Sequence, residues 1–320
     1  MTSPTIESRI PAAWAERRAA VEAAAHRIRR NALFMGEVQG QGYVGQALGA
    51  ADILACLYAD QLRFRPEDPE WEGRDRFLLS TGHYAIGLYA ALAEAGIIPV
   101  EELETYGSDN SRLPMSGMST YTPGMEISGG SLGHGLTIAV GLALGLRHRG
   151  NPARIVNFLS DGELDEGSTW EAAMGAAHHR LGRLTAVVDI NALQADGPTA
   201  GVLRTEPVVD KWAACGWRVF RVDGNDVGAL LEAFDAAFSE AGDDGDTGVG
   251  APAVILCDTK VGRGVPLLEQ REKAHFMRIE VHEWSICVEQ LEAGRAAREG
   301  QKHLDGQKHL DGQKRQKEQA

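Results

Sequence analysis

The sequence predicts an α/β protein, a doubly wound and mostly parallel sheet flanked by helices, and three observations carry that expectation. Short apolar runs of strand length recur at Phe77–Ser80, Ile155–Leu159, Leu184–Val188, Val219–Val222 and Ala253–Asp258. The segments between them include stretches with helical spacing, and strand–helix alternation implies parallel pairing. Several runs also stop at small or acidic residues, Gly82-His83, Asp161-Gly162, Asp189 with Asn191, and Asp223-Gly224. In α/β sheets the carboxyl ends of strands are where ligands bind.

Taken in order, Trp14, Ala20, Val21, Ala24, Ile28 and Leu33 recur at helical spacing among many charges and predict a surface helix from Pro11 to about Leu33. Gly36 to Gly49 holds five glycines and reads as a loop. A helix follows from Ala50 to about Leu62, then a polar, proline-bearing connection from Arg65 to Gly73. After the strand at Phe77 a helix runs through Ala95. Ser168 to His179 is helical, rich in Ala, Met and Trp, and Val227 to Ala241 is a further helix. The acidic glycine run Asp243–Gly250 reads as a flexible loop, and Ile279–Arg298 contains the last helix. These elements make one domain over residues 1–298. Residues 299–320 repeat Gly-Gln-Lys-His-Leu-Asp twice and hold only Leu304 and Leu310 as large apolar groups. Such a tail cannot repay its ordering entropy, so disorder is expected there.

A chain of 320 residues with 43% hydrophobic content can bury a sizeable core. Its 32 basic and 45 acidic residues give a formal charge of −13, which argues against nucleic acid or an anionic membrane surface as partner. An anionic ligand must therefore be held locally, by metal charge, main-chain N–H groups and histidines. Cys56, Cys215, Cys257 and Cys287 are widely spaced, so neither a disulfide framework nor a structural zinc site is indicated. No signal-peptide core or membrane-length apolar stretch is present, which sets a cytoplasmic expectation.

The chemistry concentrates between Leu159 and Gly197. Two parallel strands ending at Ser160 and Asp189 would present Asp161 and Asn191 side by side. A hard cation such as Mg²⁺ takes carboxylate, amide and main-chain carbonyl oxygens and completes its shell with phosphate oxygens. Asp, Gly and Asn are also ordinary turn and capping residues, so these positions alone could serve only as a helix N-cap and a turn.

The wider segment resembles the thiamine-diphosphate fingerprint of the transketolase family: Ser160-Asp161-Gly162, a helix, Asn191, then Asp196-Gly197. Ser160 stands where that family has glycine. Three further segments resemble the family in the same order: Asp75–His83; the glycine-rich turn Pro123-Gly124 through Gly129-Gly130-Ser131-Leu132-Gly133-His134-Gly135; and Thr259–Gly264 followed by His275. The resemblance covers nearly all of the chain to about residue 290.

That resemblance implies a diphosphate-binding domain holding thiamine diphosphate and Mg²⁺, or another divalent cation such as Ca²⁺ or Mn²⁺. The metal ligands would be Asp161, Asn191 and the main-chain carbonyl of Leu193. The Gly162 and Glu163 N–H groups would face phosphate oxygens, while Gly130, Ser131, Leu132 and Gly133 would lie along the aminopyrimidine. His83 and His275 would contact the diphosphate or donate protons to the substrate carbonyl, a task suited to side chains titrating near neutrality. His134 would stand one layer behind, and Glu166 would link two active sites at a subunit contact. Read without the resemblance, Glu166 is a solvated first-turn carboxylate favoured by the helix dipole.

Two positions depart from the family pattern. Tyr43, in Gly42-Tyr43-Val44-Gly45, and Ser116, in Met115-Ser116-Gly117, stand where relatives carry histidines that touch ketose hydroxyls. The donor is therefore expected to be a non-standard ketose or another α-keto compound. Full-length relatives run to roughly twice this length, in line with a further domain. The chain thus reads as the N-terminal subunit of a split transketolase, partnered by a subunit carrying the pyrimidine-binding domain in an α2β2 heterotetramer. The activity implied is transfer of a two-carbon ketol unit to an aldehyde. A 2-oxo acid decarboxylase or dehydrogenase component shares the metal motif, and a cofactor-less regulatory homologue stands as the non-enzyme reading.

Overall fold

A computed structural model describes residues 12–239, 249–272, 274–297 and 300. The tail expected to be disordered and most of the acidic glycine run lie outside these residues. The elements, in chain order, are α1 (Ala12–Gln39), β1 (Gln41–Gly42), α2 (Val44–Cys56), β2 (Arg76–Leu79), α3 (Ala85–Glu94), α4 (Gly135–His148), β3 (Ile155–Ser160), α5 (Gly167–His178) and β4 (Leu184–Ile190). Then come β5 (Leu193–Gln194), β6 (Gly197–Pro198), α6 (Thr199–Val202), α7 (Val208–Ala214), β7 (Arg218–Asp223), α8 (Val227–Ser239), β8 (Ala253–Asp258), α9 (Pro266–Glu269) and β9 (Met277–Arg278). A last helix, α10, covers 281–297.

The five long strands form one sheet in the order β2-β3-β4-β8-β7, and every neighbouring pair is parallel. Alternate residues of each strand point to opposite faces. Phe77, Leu79, Val156, Phe158, Val187 and Ile255 join the core shared with α1, α2, α3 and α8, whereas Leu78, Ile155, Leu159, Val188, Val254 and Leu256 join a second core with α4, α5 and α7. Burial on both faces is why β2, β3, β4 and β8 read as continuous apolar runs, whereas the edge strand β7 is partly exposed.

One expectation fails in the stretch read as a glycine loop at 36–49. α1 continues to Gln39 and α2 begins at Val44, seven residues before the Ala51 that follows the expected start. Most of the glycines there serve close packing. A Cβ on Gly36 would lie 2.6 Å from Val44 Cγ2 and 2.8 Å from the Trp284 ring, and one on Gly45 would lie 2.5 Å from Met277 Cε and 2.6 Å from Val261 Cγ1. Only Gly40 and Gly42 use positive φ, at 67° and 151°, to turn the chain between the helices. The surface reading of α1 also needs correction. Val21, Ala24, Ala25, Ile28, Ala32 and Leu33 are buried, and a buried Arg29–Asp52 ion pair, 2.5 Å at its shorter contact, ties α1 to α2.

Among the described residues no helix is long and apolar enough to cross a membrane. Cys56, Cys257 and Cys287 are buried free thiols and Cys215 is half-buried.

Candidate active site

The carboxyl ends of β2, β3, β4 and β8 meet at one edge of the sheet, and each supplies polar groups. The register pairs Ser160 with Asp189 and Asp189 with Cys257, so Asp161 and Asn191 leave adjacent strands together. Asp161 is buried. Its Oδ1 accepts the Gly162 N–H at 2.9 Å, and its Oδ2 accepts the Ala192 N–H at 2.9 Å and the Thr199 hydroxyl at 3.0 Å. Asn191 donates Nδ2 to Tyr84 Oη at 2.7 Å and to Asp189 Oδ2 at 2.8 Å, while its Oδ1 accepts the Leu193 N–H at 2.9 Å. Ala192, between them, holds a left-handed conformation with φ 60°, uncommon for a residue with a Cβ. That strain lets one tight turn offer its N–H groups to both Asp161 and Asn191.

Asp189 anchors the arrangement from behind. It is 1% exposed and accepts hydrogen bonds from Tyr84 Oη at 2.5 Å, from Asn191 and from the Thr259 hydroxyl. With both amide hydrogens directed at Tyr84 and Asp189, the carbonyl oxygen of Asn191 is the end left to a cation. Burial, followed by the nearby charge of Asp189, pushes the Asp161 carboxyl up to about 7, partly offset by its hydrogen bonds. Burial likewise raises Asp189 above its ordinary range. Among the described residues no arginine or lysine is paired with either carboxylate. A site with two buried carboxylates, one amide oxygen and no protein cation suits a divalent metal that brings phosphate oxygens with it. Asp161 and Asn191 fit that group. Leu193 lies in the β5–β6 hairpin two residues after Asn191, where its N–H is donated to Asn191 Oδ1.

The Gly162 N–H, expected to face phosphate, is donated to Asp161 Oδ1 at 2.9 Å. The Glu163 side chain instead proves central. It is fully buried, accepts hydrogen bonds from Ser80 Oγ and, at 2.8 Å, from the Gly133 N–H, and its second oxygen has no partner. Burial pushes its carboxyl up to about 7. Glu163 thus pins the glycine turn to the strand ends. Main chain meets main chain there: the Gly130 N–H donates to Ser80 O at 3.0 Å, and a Cβ on Gly82 would lie 2.5 Å from the Gly129 carbonyl. Gly130 and Gly133 take φ 121° and 81°.

His83 follows β2, and its ring lies 5.3 Å from that of His275 and 4.9 Å from that of Tyr43. Phe276 closes the cluster at 5.1 Å from Tyr43. Burial, then the neighbouring His275, lowers the His83 pKa to about 4, and burial lowers that of His275. Both rings are therefore neutral near pH 7. His134 is exposed and directs Nδ1 to Ser131 O at 3.0 Å. Glu166 is exposed at the N-terminus of α5 without a capping hydrogen bond from its side chain. Asp161 likewise caps no helix.

Sequence reasoning brought out Asp161, Asn191, His83 and His275 but missed Tyr84, Thr199 and Gln46 and gave no role to Asp189 or Thr259. Asp189 ends an apolar run, as Asp161 nearly does. Only the strand register reveals that it backs Asn191.

With this geometry in hand, comparison with known proteins is decisive. Residues 21–287 match the family model described as transketolase, thiamine diphosphate binding domain. The chain belongs to the transketolase family. It is 59% identical over 273 residues to an uncharacterized transketolase family protein, y4mO, of Sinorhizobium fredii, covering 85% of this chain and 95% of the relative. It is 38% identical over 253 residues to the 6-deoxy-6-sulfo-D-fructose transketolase subunit SqwG of a Clostridium species, covering 79% of this chain and 89% of that subunit. Among solved structures, the transketolase of Campylobacter jejuni matches with a TM-score of 0.76 and 27% identity over 86% of this chain and 43% of that one. The chain thus spans under half of that transketolase but nearly all of the transketolase subunit.

Proposed function

We propose that this member of the transketolase family binds thiamine diphosphate with Mg²⁺, or with Ca²⁺ or Mn²⁺ in its place. It would act as the N-terminal subunit of a split transketolase that moves a two-carbon ketol unit from a non-standard ketose to an aldehyde. The observation that carries this reading is the pair Asp161 and Asn191, brought together by strand register where Asp161 and Asp189 are buried and, among the described residues, neither carboxylate meets an arginine or lysine. Asp161 and Asn191 would hold the metal through side-chain oxygens and Leu193 through its carbonyl. The glycine turn 129–133 would lie along the flat ring, since glycines allow that approach. Thiamine diphosphate, when bound, supplies the nucleophilic carbon of the reaction. His83 and His275, both neutral, would hydrogen-bond phosphate or substrate oxygens, and Tyr43 with Phe276 would screen that region from water.

A partner subunit carrying the pyrimidine-binding domain would complete the site in an α2β2 assembly. The subunit naming of SqwG supports a split enzyme, and its printed sugar supports a donor outside the usual set. Exposed Ile138 on α4 and Met174 on α5, with Glu166 exposed at the start of α5, would belong to the subunit contact. The relatives' names favour transketolase over a 2-oxo acid decarboxylase.

Calorimetric titration of thiamine diphosphate with Mg²⁺ tests the reading, on the chain alone, with a candidate partner, and for Asp161→Ala. Metal-dependent binding that strengthens with the partner and is lost in the variant is the expected result. Absence of binding with and without partner would leave a cofactor-less homologue.

A further inference from the structure

Gln46 lies in the first turn of α2, is 1% exposed, and reaches across to the loop that carries His275. Its Nε2 lies 2.7 Å from the main-chain carbonyl oxygen of His275 and 3.1 Å from the Nδ1 of the same residue. A carbonyl oxygen can only accept, so the end of the Gln46 amide that faces it is the NH₂. Turning the amide over would set two carbonyl oxygens against each other. The NH₂ then offers its second hydrogen to Nδ1, and a proton on Nδ1 would oppose donor to donor. A neutral imidazole carries one proton, which is thereby directed to Nε2.

We propose that Gln46 is a positioning residue that holds His275 as the neutral Nε2–H tautomer, so that the ring presents a hydrogen-bond donor to an oxygen of the bound ligand.

Three further observations agree. The Oε1 of Gln46 is buried without a partner, so the amide's orientation is set by its NH₂ end. The two segments cannot slide apart easily. The Gly262 N–H donates to Gly45 O at 2.8 Å, and a Cβ on Gly45 would lie 3.2 Å from Ala274 O. The His275 ring makes no other hydrogen bond among the described residues and its near neighbours are the rings of Tyr43 and His83, at 5.5 and 5.3 Å. Its Nε2–H therefore remains for a ligand. The consequence is a donor that needs no positive charge and keeps its proton on the same nitrogen at neutral pH. The functional half of the inference rests on the reading of His275 as a ligand-facing group. The tautomer itself does not.

Long-range ¹H–¹⁵N spectra of the full chain labelled with ¹⁵N-histidine test the tautomer directly, with His275→Gln identifying the resonance. Protonated Nε2 and unprotonated Nδ1 are expected in the wild-type chain, and the reverse pattern would overturn the proposal without any substitution at Gln46. Gln46→Leu should convert the signal to a mixture of tautomers, and Gln46→Glu, whose carboxylate accepts from Nδ1–H, should place a proton on Nδ1. An unchanged Nε2–H tautomer in both folded variants would show that Gln46 does not set it. In the assembled complex, Gln46→Leu should lower kcat about 10-fold, the value of one net hydrogen bond. Unchanged kcat alongside an altered tautomer would overturn the functional half. Failure of cofactor binding in the wild-type complex would instead strike the proposed function, leaving the tautomer result standing.

Discussion

Asp75 and Asp161 are both buried aspartates at strand ends, yet they meet opposite surroundings. Asp75, at the amino end of β2, is 5% exposed and faces two arginines. Arg63 contacts its Oδ1 at 2.9 Å and Arg154 its Oδ2 at 2.6 Å, and the N–H groups of both residues also donate to it. Burial alone would raise its pKa, but the two guanidiniums hold it below the usual range. Asp161, at the carboxyl end of β3, has neutral donors only, and its carboxyl rises to about 7. Asp75 carries its own counter-charge and Asp161 does not. The Asp161 site is therefore suited to a positive charge brought by a ligand, whereas the Asp75 cluster serves stability.

Breaking the compensated end should give the largest effect on stability. Asp75→Ala leaves two guanidiniums and two N–H groups facing a void. Because Arg63 is half exposed, the loss should be about 3 kcal/mol, near the low end for a broken buried pair. Urea denaturation of the chain measures it, and a loss below about 1 kcal/mol would contradict the contrast.

A second test asks whether the ligand end tolerates added bulk. Gly82→Ala would push a methyl onto the Gly129 carbonyl and Gly130 N, which cannot yield as a flexible side chain would. A cost of about 2–3 kcal/mol is expected from such overpacking. Thermal melts check it, together with loss of cofactor binding.

The paired histidines sharpen the comparison through pH. The His83 pKa falls from 6.5 unfolded to about 4 folded. Between those values the unfolded chain binds more protons, so stability rises with pH through that window and falls as the solution is acidified from about 6.5 to about 4. The swing should be on the order of 1–3 kcal/mol, reduced in His83→Gln. Denaturation midpoints measured at several pH values would show no such difference if the ring were charged in the folded state.

The smallest stability change is expected where the counter-charge is missing. Asp161→Asn removes a buried charge but leaves one N–H poorly paired, so apo stability should move by less than about 1 kcal/mol. Metal-dependent binding of thiamine diphosphate should nonetheless be lost. A large destabilisation would mean that Asp161 serves the fold as Asp75 does.

Much of the architecture was legible before the structure. The apolar runs at 155, 184 and 253 became β3, β4 and β8 with boundaries shifted by at most two residues. Burial on both faces makes such runs conspicuous. The stretch 36–49 was misread because glycine marks turns and close helix packing alike, and only neighbours such as Trp284 and Met277 separate the two. At the site, Asp161 and Asn191 stood out through the chemistry of their side chains. Asp189, Thr199 and Gln46 did not, since their partners lie 2 to 229 residues away and are named by no local pattern.

The sequence by itself determined the strand–helix alternation, and hence a parallel sheet with acidic and small residues at its carboxyl edge, because hydrophobic period and turn chemistry are local properties of the chain. Tertiary structure alone decided which buried carboxylates are neutralised. Arg154 reaches Asp75 across 79 residues of chain, while no such partner reaches Asp161. Ion pairing depends on three-dimensional proximity within a few ångströms, and residue order does not encode that distance.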